Sequence, residues 1–185
     1  MPLKKIVILG PESTGKSTLC EGLAAHFHSD WVPEFARAYL LEHGMGYKYE
    51  DLLTIARGQL ALEEERAAAL IHRGPPVPGS PLPFLFVDTD LYVIKVWSEF
   101  VYGRCDPWIL GQIGSRKYDG YLLCNTDLPW VKDELREYPD LVTREKLYHI
   151  YRDLLINQPT PWAEISGLAD QRLATAIEAV NGLIA

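Results

Sequence analysis

Lys5-Ile-Val-Ile-Leu-Gly-Pro-Glu-Ser-Thr-Gly-Lys-Ser17, near the start of the chain, restricts the possible folds more than any other segment. It begins as an apolar run, and its last eight residues, Gly10 to Ser17, match the phosphate-binding pattern GxxxxGK[ST]. The residues that follow have the period of an amphipathic helix, with an apolar stripe formed by Leu19, Leu23 and Phe27. A buried strand, a phosphate loop and a helix are therefore predicted in that order.

The loop has a specific chemistry in this setting. Backbone amides and the helix N-terminus form a cradle for phosphate oxygens, because glycines let the backbone approach closely. Lys16 is expected to reach the β and γ phosphates, and the Ser17 hydroxyl is expected to bind Mg²⁺. The predicted nucleotide-binding residues of this segment are Gly10, Pro11, Glu12, Ser13, Thr14, Gly15, Lys16, Ser17 and Thr18.

Length and composition indicate one soluble domain. The chain has 185 residues, of which 48% are hydrophobic and 23% charged, so one core is expected over residues 1–185. No apolar run approaches the roughly 20 residues of a membrane span, and the apolar start leads directly into the loop rather than a signal peptide. A cytoplasmic protein without membrane partners is predicted, with Cys20, Cys105 and Cys124 as reduced thiols.

The charge distribution limits the possible ligands. A formal net charge of −7 argues against a nucleic-acid partner, because such binding depends on clustered Lys and Arg. A small nucleotide held by a local site is expected instead. The oligomeric state stays open.

Short apolar runs alternate with segments of helical period, which is typical of a parallel sheet covered by helices. The expected fold class is α/β, a three-layer αβα P-loop NTPase fold with five parallel strands and a helical lid, similar to nucleoside and nucleotide kinases. A long helix is predicted over residues 49–73, and the segment from Arg73 to Pro83 is predicted to be a surface loop because of its Pro and Gly content. The predicted strands are Lys5 to Leu9, Asp30 to Pro33, Phe84 to Val87, Tyr121 to Cys124, and Trp162 to Ile165.

Polar residues directly after the third strand are candidates for the metal and the chemistry, because ligands lie at the carboxyl ends of parallel strands. Asp88 is predicted to hold the magnesium shell, and Asp90 to share that role or to face the acceptor. Asp90 as a helix cap is the alternative. After the fourth strand, the residues Asn125-Thr-Asp127 lack the lysine of guanine-specific GTPases, which favours ATP over GTP.

Two further segments carry candidate site residues. Glu34 and Arg37 follow the second strand on one helix face, either as acceptor-site residues or as a surface ion pair. Residues 127–145, which we call the lid segment, are predicted to form a short helical excursion bearing Arg136 and Arg144. Such arginines stabilise a transferring phosphoryl group in some kinases and are surface residues in most helices.

Taken together, the segments GPESTGKST, PEFARAYL, VDTD and LPWVKDELR resemble the ribosylnicotinamide kinase domain of the NadR type, a P-loop kinase grouped with the NadR-like AAA domains. The resemblance extends over essentially the whole chain. It implies transfer of the ATP γ-phosphate to the 5′-hydroxyl of nicotinamide riboside, giving nicotinamide mononucleotide, with ATP and Mg²⁺ as cofactors. Bifunctional members carry an N-terminal adenylyltransferase domain with a His-x-Gly-His motif, and this chain has no such motif.

The same resemblance assigns roles to individual positions. It implies that Lys16, Asp88, Asp90, Glu34 and Arg136 are catalytic, and that Gly167 and Arg172 lie near the adenine. It further implies that the acceptor pocket contains Glu34, Arg37 and Asp90. Aromatic residues could face the cationic ring of the acceptor, and the candidates are Tyr39, Trp97, Trp31 and Trp108. The alternative for each of these aromatic residues is that it packs in the core and does not contact the ligand.

Three alternatives to this function stay open from the sequence. The first is a kinase for another nucleoside, and the second is an ATP- or GTP-binding regulatory switch. The third is an enzyme similar to adenylate kinase, which the small number of basic residues around a second phosphate pocket disfavours.

Overall fold

The structure is a computed structural model that describes residues 3–74 and 84–184. All five predicted strands are present, with ends shifted by at most one residue, and most of the predicted Pro-rich loop falls outside the described residues. In chain order the elements are β1 (Lys4–Leu9), α1 (Lys16–His26), β2 (Asp30–Val32), α2 (Phe35–His43), α3 (Tyr49–Arg73), β3 (Phe84–Asp88), α4 (Leu91–Tyr102), α5 (Pro107–Ser115), β4 (Gly120–Cys124), α6 (Leu141–Ile156), β5 (Trp162–Ile165) and α7 (Ala169–Ile184).

The five strands form one parallel sheet in the order β2-β3-β1-β4-β5. In the centre, Ile6 of β1 lies opposite Phe86 of β3 and Gly120 of β4. Because all strands run the same way, their carboxyl ends lie at one edge of the sheet. The phosphate loop follows the central strand and therefore lies in the middle of that edge.

Alternate residues of β1 are buried on opposite faces of the sheet, as expected for a strand covered on both sides. Val7 and Leu9 pack with residues of α4 and α6, whereas Ile6 and Ile8 pack with α1 and α7. The three-layer αβα fold class is thereby confirmed. A further apolar cluster joins α2, α3, α4 and α5.

The connection from β2 to α2 is tied to helix α3 by a hydrogen bond. The backbone N–H of Phe35 donates to the Oε1 atom of Gln59, which is buried, at 2.7 Å. Gln59 also donates to the Pro33 carbonyl at 3.4 Å. Helix α3 thus fixes the position of Glu34, which lies between these two contacts.

The prediction of a helical lid segment is wrong for most of its length. Residues 127–140 are irregular with short turns, and only the last five residues of the lid segment belong to α6. Pro129 and Pro139 lack an N–H and disfavour helical backbone in the residue before them. Helix α6 begins only after Asp140, which caps it by accepting a hydrogen bond from the Thr143 N–H at 2.7 Å.

Cys20 and Cys124 are buried, Cys105 is partly buried, and all three are free thiols. None of the helices in the described ranges has the length and hydropathy needed to cross a bilayer.

Candidate active site

A cavity of about 570 Å³ lies at the carboxyl edge of the sheet. Its walls come from the phosphate loop and the start of α1, the β2–α2 connection, the end of β3, helix α4 and the lid segment. It is large enough for a small ligand and contains both charged and aromatic side chains. The residues Gly10 to Thr18 all line it.

The backbone of the phosphate loop requires glycine at two positions. Gly10 has a φ of 141°, and a Cβ atom there would lie 2.7 Å from the Cys124 carbonyl oxygen. Gly15 has a φ of 76° and precedes the first residue of α1. Between them, the buried Thr14 hydroxyl donates to the Pro11 carbonyl at 2.7 Å, which stabilises the turn of the loop. The phosphate loop and the α1 N-terminus both line the cavity, which is where an anion cradle is expected.

Ser17 and Asp88, the residues predicted to bind magnesium, are in direct contact. The Ser17 hydroxyl donates to Asp88 Oδ2 at 2.5 Å. The other carboxylate oxygen, Oδ1, is buried and has no hydrogen-bond partner among the described residues. Mg²⁺ prefers such oxygen ligands and commonly takes only one or two from the protein, with phosphate and water completing its shell. These two side chains therefore fit the ion.

The charges around Asp88 act in opposite directions. Burial and the nearby negative charge of Glu34 raise the pKa of Asp88 to about 7, while Lys16 and the Ser17 hydroxyl lower it. A bound cation would favour the ionised carboxylate. The Lys16 ammonium lines the cavity and donates to the Pro11 carbonyl at 3.0 Å.

Asp90 requires a correction, because the structure does not place it in the cavity. Its buried carboxylate accepts the Tyr92 N–H at 3.0 Å and a longer hydrogen bond from the Tyr121 hydroxyl at 3.4 Å. It is the N-cap of α4, which is the alternative reading of the sequence. The carboxylates lining the cavity near the phosphate loop include Glu34 and Asp88.

The lining of the same cavity includes the predicted acceptor residues Glu34, Arg37 and Trp97, and also Trp31. Tyr39 is not among the lining residues. Its ring stacks on His43 and its hydroxyl donates to Asp51 at 2.8 Å, so the prediction that it contacts the acceptor is not supported. Trp108 also lies outside the lining and packs under the Arg57 guanidinium.

Arg37 of α2 and Arg136 of the lid segment both line the cavity. Arg37 forms a two-pronged ion pair with Asp133, with N–O distances of 2.9 and 3.2 Å. Arg136 donates to the Val131 carbonyl within the irregular part of the lid segment. Arg37 therefore joins α2 to the lid segment, a contact that the i, i+3 spacing with Glu34 does not predict.

Gly167 and Arg172, which are predicted to lie near the adenine, are not among the residues that line this cavity. The buried Arg172 guanidinium donates to the Thr14, Asn125 and Gly167 carbonyls at 2.9–3.1 Å. It also pairs with Asp127 at 2.7 Å. Its hydrogen-bonding groups thus brace the loops that follow β1, β4 and β5. Asp127 also accepts the Gly167 N–H at 2.6 Å, so it is engaged within the protein.

Sequence reasoning missed the contacts between the phosphate loop and the lid segment. Glu12 accepts hydrogen bonds from backbone N–H groups of the lid segment, and the buried Arg144 guanidinium donates to the Ser13 and Leu128 carbonyls at 3.4 and 3.2 Å. Tyr47, which also lines the cavity, was not singled out. No local pattern indicates the contacts of Glu12 with the lid segment or of Arg144 with Ser13, since these partners lie 125 to 131 residues apart along the chain.

The sheet order, the phosphate loop after the central strand, and the paired Ser17 and Asp88 define the chain as a P-loop NTPase by fold. More specifically, it belongs to the AAA domain family, which its sequence matches over residues 5–172.

Two curated relatives are the trifunctional NAD biosynthesis/regulator proteins NadR of Salmonella typhimurium (strain LT2) and Escherichia coli (strain K12). Each is 28% identical to this chain over 157 residues, which is 83% of the chain and 36% of the relative. The chain therefore spans about a third of the length of these relatives.

The fold is also similar to two solved structures of NadR protein. One, in complex with NR, has a TM-score of 0.76 and 18% sequence identity, and the other, in complex with NAD and AMP-PNP, has a TM-score of 0.70 and 20% identity. Each similarity covers 98% of this chain and 49% of the solved chain. At these identities the likeness shows a shared fold.

Proposed function

We propose that this chain is an ATP- and magnesium-dependent kinase that phosphorylates the 5′-hydroxyl of nicotinamide riboside to give nicotinamide mononucleotide. The observation that carries the proposal is that one cavity is lined both by the phosphate loop and by Glu34, Arg37 and Trp97. A donor and an acceptor bound together in such a cavity react as if in one molecule. The names and ligands of the NadR relatives support this choice of donor and acceptor.

The donor half of the mechanism rests on the phosphate loop. Its amides and the Lys16 ammonium hold the β and γ phosphates and stabilise the negative charge that spreads over the transferred group. Ser17 and Asp88 would hold Mg²⁺, which supplies further neutralisation of the phosphate charge.

The acceptor half rests on Glu34, Arg37 and the aromatic residues of the cavity lining. The Glu34 carboxylate is close enough to Asp88 to raise its pKa, so it lies at the junction between the two halves. From there it can accept the proton of an acceptor hydroxyl or hold that hydroxyl in line with the γ-phosphate. Trp31 and Trp97, which line the cavity, would provide the aromatic surface that a cationic ring favours.

The lid segment contributes by covering the reaction. It forms one side of the cavity through Asp133, Leu135, Arg136, Glu137 and Tyr138. Exclusion of water strengthens the electrostatic interactions inside and prevents hydrolysis of ATP. Arg136 is the lid arginine available to the transferring phosphoryl group.

A panel of nucleosides with ATP and Mg²⁺ tests the proposal. We expect a phosphorylated product from nicotinamide riboside, with a higher kcat/KM than from uncharged nucleosides. Lys16→Ala should reduce transfer by at least about 100-fold with an unchanged far-UV CD spectrum. If tight ATP binding occurs without acceptor-stimulated ADP release for any nucleoside, the chain is a nucleotide switch and the proposal fails.

Glu34→Gln separates the two halves of the site. We expect it to reduce kcat/KM for the acceptor by roughly 100-fold, the range of a general acid–base contribution, with little change in the Kd of ATP. Glu42→Gln, at an exposed position on α2, the helix that follows Glu34, is the matched control and should behave as wild type. Equal loss of ATP binding and acceptor use would instead indicate that Glu34 has a structural role.

A further inference from the structure

Glu12, the third residue of the phosphate loop, has its carboxylate directed at the lid segment. Its Oε1 atom accepts the Tyr138 N–H at 2.6 Å and the Trp130 indole N–H at 3.3 Å, and Oε2 accepts the Glu137 N–H at 3.0 Å. Ser13 adds a second contact, because its hydroxyl accepts the Val131 N–H at 3.0 Å. The lid segment is therefore hydrogen-bonded directly to the loop that holds phosphate.

The hydrogen-bond path continues from the lid segment to Tyr47 and Trp97, which line the cavity. The Glu137 carboxylate accepts the Tyr47 hydroxyl at 3.1 and 3.3 Å, and that hydroxyl accepts the Trp97 indole N–H at 2.9 Å. The rings of Tyr47 and Trp97 pack edge to face with centroids 4.7 Å apart. Glu12, Glu137, Tyr47 and Trp97 thus form a continuous path from the phosphate loop to the aromatic part of the cavity.

We infer that Glu12 is a positioning residue that couples the phosphate loop to the acceptor pocket through the lid segment, and that its carboxylate does not bind the nucleotide. Both of its carboxylate oxygens already accept hydrogen bonds from lid donors, and a carboxylate beside phosphate oxygens would repel them. The inference rests on the proposed kinase function for its kinetic consequences. Its structural basis is independent of the acceptor's identity.

Removal of the Glu12 carboxylate has two expected effects on the cavity. The lid segment loses three hydrogen bonds to the loop, so water reaches the γ-phosphate more often. Glu137 loses its anchor, and the orientation of Tyr47 and Trp97 becomes less fixed. Phosphate binding by the loop amides and Lys16 does not require the carboxylate.

The kinetic test compares Glu12→Ala and Glu12→Gln with Glu65→Gln, a control at an exposed position on α3. For Glu12→Ala we expect roughly a tenfold or larger loss in kcat/KM for the acceptor, from the lost charged hydrogen bonds, and a Kd for ATP without acceptor within about twofold of wild type. The ratio of ATP hydrolysis without acceptor to phosphoryl transfer should rise. Glu12→Gln should show a smaller loss, since an amide keeps one acceptor oxygen.

A double-mutant cycle tests the path itself. Tyr47→Phe alone should raise the acceptor KM, and combining it with Glu12→Ala should cost less than the sum of the two single changes, because both break one path. Strict additivity would overturn the coupling. A parallel loss of ATP affinity in Glu12→Ala would overturn it as well, since Glu12 would then belong to the phosphate cradle.

Amide hydrogen exchange separates this inference from the proposed function. Peptides covering residues 129–140 should exchange faster in Glu12→Ala than in wild type and in Glu65→Gln. This readout needs no substrate, so it stands even if no nucleoside is phosphorylated. Unchanged exchange in Glu12→Ala would refute the role of Glu12 regardless of the reaction.

Discussion

Asp88 and Asp90 are two residues apart and have different surroundings. Thr89, between them, has a φ of 66° and donates its N–H to the Ile8 carbonyl at 3.0 Å. This left-handed backbone, which is rare for Thr, turns the chain so that Asp88 meets Ser17 and Asp90 meets the start of α4. One residue's conformation therefore separates a candidate metal ligand from a helix cap.

Because the Asp90 carboxyl group is buried, we predict that the stability of the protein without nucleotide or metal depends on pH. Burial raises its pKa from 3.8 to about 7. Between these two pH values the folded protein therefore holds a proton that the unfolded chain has lost. The contribution of Asp90 to the free energy of unfolding is complete below pH 3.8 and is lost as the pH rises through 7. Asn at this position stays neutral and can still cap the helix.

We expect the Tm of the wild type in EDTA to fall between pH 5 and pH 8, and the Tm of Asp90→Asn to fall less. For each kcal/mol of unfolding free energy that no longer depends on pH, the fall in Tm should be smaller by about 2–4 °C. Asp88 leaves some slope in both proteins, because its pKa is also raised. Differential scanning calorimetry over this range provides the measurement. Parallel curves for the two proteins would show that Asp90 is ionised throughout.

Helix α3 supports the site although its charged surface gives no indication of this. Gln59 holds the β2–α2 connection, and Gly58 beside it lies against the Phe35 ring. Because Phe35 directly follows Glu34, the packing of two helices determines where a candidate acceptor residue lies.

We predict that replacing Gly58 by alanine destabilises the protein, which is the opposite of the usual effect of this replacement in a helix. Alanine normally stabilises a helix interior by about 1 kcal/mol relative to glycine, and Gly182→Ala in α7, where a Cβ has open space, should show that gain. In Gly58→Ala the new Cβ overlaps the Phe35 ring, so we expect a loss of about 1–3 kcal/mol. Urea unfolding measures both, and equal gains would mean that Phe35 moves without cost.

On the scale of the whole molecule, the cavity exists because loops from separate strands meet at one sheet edge. Arg172 joins three of these loops, and the lid segment joins the phosphate loop to α2 and α4 through Glu12, Arg37 and Tyr47. Ligands that bind this assembly should stabilise the entire fold, since they bind the native state alone.

Magnesium dependence of that stabilisation is a test of the Ser17–Asp88 pair. At ATP concentrations about a hundred times its Kd, we expect a rise in Tm of roughly 5–10 °C in wild type with Mg²⁺. Asp88→Asn should lose the part of the rise that Mg²⁺ adds and keep the part due to ATP alone. Thermal shift assays with and without EDTA measure it, and an unchanged Mg²⁺ effect would exclude Asp88 from the metal shell.

The sequence alone determined the five strands along the chain, the helices α1 and α3, and the position of the phosphate loop. Those features depend on local patterns: the apolar run before Gly10, the helical stripe after Ser17, and short apolar strands elsewhere. The tertiary structure decided the hydrogen-bond partners of Asp90, Arg172 and Glu12, which are brought close only by the sheet and the lid segment. A side chain's direction depends on packing and on backbone turns such as Thr89, and no periodicity in the sequence records either of them.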